Sequence, residues 1–151
     1  MSKDKPILLT IDPGANTGIA VFRDGVLAQS DLINLKSYRD AWKIDEVIKI
    51  RSMPHVRTVV EIPIAYIGSK AKVNPNDLIR LAFRAGALGG FEAETITPVK
   101  WKGNVPDKIL YRRILSALND DEKATIPERG ESVLHNTLDA IGIGLKLLRR
   151  M

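Results

Sequence analysis

Ile7-Leu8-Leu9-Thr10-Ile11-Asp12-Pro13-Gly14-Ala15-Asn16-Thr17-Gly18-Ile19-Ala20-Val21-Phe22 is the stretch on which the fold turns. Residues 7–12 are an almost continuous apolar run closed by Asp-Pro-Gly, which reads as a buried strand entering a turn. Residues 18–22 read as a second strand. Asp24-Gly25 is a hairpin signal, and residues 26–35 form the returning strand. Three successive strands joined by short turns make an antiparallel half-sheet. Beyond it the pattern changes. Residues 38–50 are helical in period, with Tyr38, Ala41, Ile44 and Ile48 on one face. Residues 58–62 are a β-branched strand that Pro63 limits. Residues 74–89 read as a helix with asparagine and proline near its start, and 94–99 as a fifth strand. Residues 107–118 are a helix with Leu110, Ile114, Ala117 and Leu118 on one face, and 132–148 are the last helix. Strands that alternate with helices require parallel crossovers. The expected fold is therefore α/β, a mixed five-stranded sheet with helices on both faces.

The chain has 151 residues, of which 44% are hydrophobic. That suits one domain, 1–151, able to bury about 70% of its unfolded surface. Disorder is excluded, and the apolar run at 7–11 is too short for a signal peptide or a membrane span. The expectation is a cytoplasmic protein with no membrane association. There is no cysteine, and there are only two histidines. Disulfides, thiolate catalysis and sulfur-ligated zinc are excluded. Any metal must be held by carboxylates, which favours a hard ion such as Mg²⁺ or Mn²⁺. The formal charge of +5 and a pI near 9.6 suit a polyanionic partner, though a basic solvated surface would look the same.

Most of the 18 acidic residues sit among polar neighbours. Three do not. Asp12 ends Ile-Leu-Leu-Thr-Ile-Asp, Glu61 follows Thr-Val-Val, and Asp139 lies in Leu-Asp-Ala-Ile-Gly-Ile-Gly-Leu. An ionised carboxylate in such a setting is costly unless paired or metal-bound. No lysine or arginine lies in any of the three local runs, whereas one divalent ion shared by all three would satisfy them. The alternative is that each points outward at the end of its element. On the first strand Leu8, Thr10 and Asp12 share a face. Gly14 and Gly18 bracket a tight loop beside Asp12 where the backbone can approach a ligand. A loop of this type also occurs in sugar-kinase and actin-like ATPases.

Taken in order, Ile11-Asp12-Pro-Gly-Ala-Asn-Thr-Gly-Ile-Ala-Val, Val60-Glu61-Ile-Pro and Asp139-Ala-Ile-Gly-Ile-Gly-Leu resemble the RuvC family of Holliday junction resolvases over nearly the whole chain. The segment Val99-Lys-Trp-Lys-Gly-Asn-Val-Pro-Asp-Lys108 resembles the family's lysine-bearing segment after its fifth strand. The small size looks more like phage-encoded members, which act in the host cytoplasm. The resemblance implies a ribonuclease H-like fold and metal-dependent nicking of branched DNA by a homodimer. It also implies two Mg²⁺ (or Mn²⁺) ions per site, with Asp12 bridging, Glu61 on one ion and Asp139 on the other. The family usually carries an acidic residue or histidine three residues before the last aspartate. Here that position is Asn136, and His135 precedes it. Either could approach the site, since residues three and four apart share a helix face. Asn136 could ligate through its carbonyl oxygen; His135 could ligate or orient water, or simply be a surface residue.

Lys100, Lys102, Lys108, Arg112 and Arg113 face a single acid, Asp107, in the segment 100–113, and Trp101 sits among them. Basic residues beside an aromatic suit phosphate contact with stacking. A solvated helix face over a core tryptophan is the alternative. The loop 64–73 after Glu61 carries Tyr66, Lys70 and Lys72 and can reach over DNA, with Tyr66 near the branch point. The helix at 76–89 has two apolar stripes: Leu78, Leu81, Ala85 and Leu88, and Ile79, Phe83, Gly86 and Gly90. One covers a sheet; the second is expected to meet a twofold-related copy through Ile79, Phe83 and Gly86. Competing functions are a ribonuclease H acting on RNA in hybrids and a catalytically weak branched-DNA-binding protein. An actin-like ATP-using kinase needs two copies of the fold, and 151 residues allow one.

Overall fold

The computed structural model describes residues 5–63 and 74–151. Strand β1 (Ile7–Asp12) is followed by β2 (Asn16–Arg23) and β3 (Val26–Asn34). A 3-10 turn (Tyr38–Asp40) leads into α1 (Ala41–Arg51), then β4 (Val56–Glu61), α2 (Pro75–Gly89) and β5 (Glu94–Ile96). The chain ends with α3 (Pro98–Lys102), α4 (Asp107–Ser116), α5 (Asp120–Lys123) and α6 (Glu131–Leu147). The five strands form one sheet in the order β3-β2-β1-β4-β5. β1–β2 and β2–β3 pair antiparallel, whereas β1–β4 and β4–β5 pair parallel. This is the mixed sheet the strand pattern calls for.

Strand alternation divides the core into two layers. Ile7, Leu9 and Ile11 face α1 and α2, packing with Val47, Ile50, Ala85 and Leu88. Leu8 faces the opposite layer, where it packs with Trp101, Leu110, Ile114, Ala140 and Ile141 of α3, α4 and α6. Thr10 is fully buried on that same face, and its hydroxyl donates to the Ala140 carbonyl at 2.6 Å. A polar residue in a core strand thus fastens α6 to the sheet without leaving an unpaired group.

Three elements differ from the sequence expectation. β5 ends at Ile96, not Val99, because Pro98 has no N–H for a strand ladder and instead opens α3. The α1 stripe is Val47 and Ile50, while Tyr38 is 99% exposed and Ile48 is also exposed. Tyr38 belongs to the 3-10 turn, so it is out of register with the helix that follows. The third difference is α5, which the sequence reading does not contain. A capping box between Asn119 and Glu122 nucleates it.

Glu122 also anchors a buried ion pair. Its Oε1 accepts from Leu27 N at 2.9 Å and Arg150 Nη1 at 2.6 Å, and its Oε2 accepts from Arg150 Nη2 at 2.8 Å. Arg150 donates further to the carbonyls of Gly25 and Ala117. The β2–β3 hairpin, the end of α4 and the last residues of the chain are thereby tied together.

Candidate active site

The site is built at the end of the sheet where β1 and β4 finish. These strands pair in parallel, with Ile11 opposite Val60. Asp12 and Glu61, the next residue on each, therefore emerge side by side. Asp12 follows Thr10 by two residues and Glu61 follows Val59 by two, so both side chains turn toward the α6 layer. α6 crosses that layer closely. A Cβ on Gly18 would stand 1.9 Å from the Asn136 carbonyl oxygen. The same approach brings Asp139, one turn further on, to the two strand ends.

Asp12 lies near enough to Glu61 and Asp139 for their charges to act on it. Asp12 and Asp139 are buried and Glu61 is half-buried. Burial, then the charges of Glu61 and Asp139, push the Asp12 carboxyl up to about 9. The Glu61 carboxyl is likewise raised by burial and partly restored by the Trp101 hydrogen bond and Lys102. Asp139 is raised by burial and opposed by Lys102. Its Oδ1 has no hydrogen-bond partner among the described residues.

Two residues expected on a DNA-facing surface are found inside the site instead. Trp101 is 3% exposed, packs in the core, and donates from Nε1 to Glu61 Oε2. It is not available for base stacking, because α3 turns it inward behind Pro98. Lys102 places its ammonium 3.3 Å from Asp139 Oδ2. The local runs contain no cation, but the tertiary fold supplies one from 37 residues away. Burial, the largest influence on Lys102, lowers its pKa, yet Asp139 and Glu61 raise it further, so it stays charged. Tyr111 of α4, unmarked by any motif, adjoins the group. Its hydroxyl is held un-ionised by burial and by the nearby Asp139.

His135 is exposed, with Nδ1 3.0 Å from the Ser132 carbonyl, and its charge acts weakly on Asp139. Asn136 spends its amide nitrogen on the Asn16 carbonyl, clamping the β1–β2 loop to α6. Lys100, Lys108 and Arg112 are exposed as expected. Tyr66, Lys70 and Lys72 lie outside the described residues. Ile79, Phe83 and Gly86 of α2 are exposed, and Ala85 and Leu88 on its other stripe are buried.

The donor set suits a hard divalent cation in kind and charge. Burial raises all three carboxyls, and Asp139 Oδ1 is buried without a hydrogen-bond partner among the described residues. Among the described residues no three histidine or acidic groups stand at the spacing of a preformed metal site. Trp101 and Lys102 occupy one oxygen each of Glu61 and Asp139.

No family model and no curated protein matches this chain. Solved structures do. Thermus thermophilus RuvC in complex with a Holliday junction substrate aligns at a TM-score of 0.58, with 16% identity, over 97% of this chain and 96% of that one. Another Thermus thermophilus RuvC structure aligns at 0.51, with 13% identity, over 93% and 92%. The likeness at this identity is one of fold. The described residues share the mixed α/β fold of these structures.

Proposed function

We propose that this protein is a divalent-metal-dependent, structure-selective endodeoxyribonuclease that nicks Holliday junctions and related branched DNA. In this reading it is a phage-type member of its fold group acting symmetrically as a homodimer in the host cytoplasm. The observation that carries the reading is the convergence of Asp12, Glu61 and Asp139 from three separate elements. The full-length likeness to a fold solved on a Holliday junction supports the choice of substrate.

Asp12, Glu61 and Asp139 would hold Mg²⁺ or Mn²⁺, two ions to a site. Bound there, such ions activate a water and stabilise the leaving oxygen of a phosphodiester. The chain's own residues do the rest. Trp101 fixes the orientation of Glu61 by holding one of its oxygens. Lys102 brings a positive charge to the edge of the site, where it balances Asp139 and can meet a phosphate. Lys100, Lys108 and Arg112 offer exposed charge for backbone contacts. His135 and Asn136 are auxiliary candidates for the fourth position. His135 is exposed toward solvent, whereas Asn136 must release Asn16 to act as a ligand.

One observation favours a second reading, a branched-DNA-binding protein of weak activity. The fourth position is a neutral amide already engaged, and the carboxylates are not preset at metal spacing. Cleavage of junction, flap, duplex and RNA–DNA hybrid substrates in Mg²⁺ and in Mn²⁺ decides between them. Wild type is expected to nick the junction, and Asp12→Asn, Glu61→Gln and Asp139→Asn to bind it without cutting. Binding with no cleavage by wild type supports the second reading. Cleavage of the hybrid alone turns the assignment to a ribonuclease H, and cleavage by all three variants at the wild-type rate removes the active site from here.

A further inference from the structure

A second basic feature lies at the same end of the sheet, on the far side of the β1–β2 loop. A cleft of about 330 Å³ is lined by Asn16, Asn34, Ser37, Arg39, Asp40 and Arg129, with Leu32 and Val133 at its base. Arg39 and Arg129 are exposed, and neither guanidinium has an ion-pair or hydrogen-bond partner among the described residues. The one carboxylate of the wall is already engaged. Asp40 accepts from Asn34 N at 2.7 Å and lies 3.8 Å from the Lys43 ammonium. The cleft therefore presents net positive charge with amide and hydroxyl groups around it, the composition that recognises a phosphodiester. Tyr38, between the lining residues Ser37 and Arg39, is 99% exposed, an aromatic face set beside cations.

The place of the cleft gives the charge a meaning. β3 runs parallel to β1, two strands away, and ends at Asn34, so it finishes at the end where Asp12 stands. Two strand spacings are roughly 10 Å. The major groove of a duplex arm is itself about 12 Å wide. An arm with one phosphate at Asp12 therefore reaches Asn34. Asn16 joins the two features, since its carbonyl is held by Asn136 of α6 while its residue lines the cleft.

We propose that the Arg39–Arg129 cleft is a second phosphate subsite, which grips the DNA backbone on the β3 side of the reacting phosphodiester. This rests on the nuclease reading. With Lys100 and Lys102 on the β5 side, it makes the substrate track span the sheet end from edge to edge.

The test is binding of a four-way DNA junction in EDTA, followed by fluorescence anisotropy from low to high salt. Arg39→Ala and Arg129→Ala should each weaken binding severalfold and flatten the log–log salt slope by about one unit. Arg39→Glu should weaken binding more than Arg39→Ala. Lys49→Ala, an exposed cation near the far end of α1, is the control for net charge alone and should leave the slope unchanged. All three positions are at the surface, and unchanged melting temperatures verify the fold. If Lys100→Ala and Lys108→Ala flatten the slope while Arg39→Ala and Arg129→Ala do not, the cleft is off the DNA path and the subsite is overturned with the nuclease reading intact. Equal effects from Lys49→Ala reduce the cleft to general charge and also overturn it. Failure of wild type to bind any junction overturns both readings together.

Discussion

Asp12 is a carboxylate that burial weighs on heavily. Its carboxyl stands at about 9 in the folded chain, against an ordinary value of 3.8. Between those values the folded protein holds a proton that the unfolded chain has released. Stability therefore falls as pH rises from about 4 to about 9. Asp12→Asn removes that penalty. In EDTA the variant should resist denaturant better than wild type, by at least about 1 kcal/mol at pH 8 and by less at pH 5. A divalent ion must displace the same proton, so Mg²⁺ binding should strengthen over the same window and release protons in calorimetry. A variant less stable than wild type at pH 8 would contradict the burial of an uncompensated carboxyl here. The three acids were legible because each is a charge in an apolar run, and no packing is needed to see that. Trp101 and Lys102 were not, because their partners lie 40 and 37 residues away. The one local signal was Thr97-Pro98, a helix-start pair that turns a basic tail of a strand into α3. Tyr111 carries no local signal at all; its proximity to Asp139 comes from the packing of α4 on α6.

At the scale of elements, the site depends on how closely α6 lies on the sheet. Gly18 and Gly142 permit it. A Cβ on Gly142 would fall 2.6 Å from the Trp101 ring, and one on Gly18 would fall 1.9 Å from the α6 backbone. A ring can shift; a helix backbone cannot without moving Asp139. Gly18→Ala should therefore cost about 2 kcal/mol or more of stability, at the upper end of overpacking effects, and lower the cleavage rate at least tenfold. Gly142→Ala gains helix propensity of about 1 kcal/mol that offsets part of its clash, so its loss should be smaller. Denaturant titration of both variants checks the order. The Glu122–Arg150 pair makes a separate demand. Arg150, with support from backbone donors, lowers the Glu122 carboxyl to about 2 from 4.5. The folded state thus gains stability above pH 4.5 and loses it as pH falls from about 4.5 to about 2, a swing of about 3 kcal/mol at most. Glu122→Gln should be less stable at pH 7 and show a flatter acid limb; an acid limb identical to wild type would assign the acid sensitivity elsewhere. β1 and β2 were readable because both of their faces are buried, which leaves unbroken apolar runs, and α4 because Leu110 and Ile114 mark one buried face. The α1 stripe was not, since a 3-10 turn breaks its register. α5 was too short to have a period, and only its Asn119…Glu122 capping pair marks it.

For the whole molecule, the question is what covers α2. Its inner stripe, with Ala85 and Leu88, already closes the layer over β1 and β4. Its outer stripe leaves Ile79 at 66% and Phe83 at 76% exposure, and Phe91 beyond the helix end is fully exposed. A shallow apolar groove runs between them, lined by Ala82, Phe83, Gly86, Ala87 and Phe91. Apolar residues grouped in this way on an otherwise strongly charged surface mark an interface more often than a free face. The expected occupant is a second copy of the chain. The outer face of α2 carries Gly86 in its last turn, and among the described residues nothing lies within 4 Å of a Cβ there. Two such helices can therefore approach closely across a twofold axis. The arrangement would also set two carboxylate sites on one branched substrate, which symmetric nicking requires. Phe83→Glu puts a charge where it would be desolvated without a partner. The variant should remain folded, since Phe83 is 76% exposed, yet sediment as a monomer and nick one strand where wild type nicks two. Ile79→Ala should only weaken association. Light scattering at micromolar concentration, with and without junction DNA, gives the decision: a wild-type chain that is monomeric in both conditions leaves the outer face of α2 without this role, and a Phe83→Glu variant that still dimerises moves the interface to another surface.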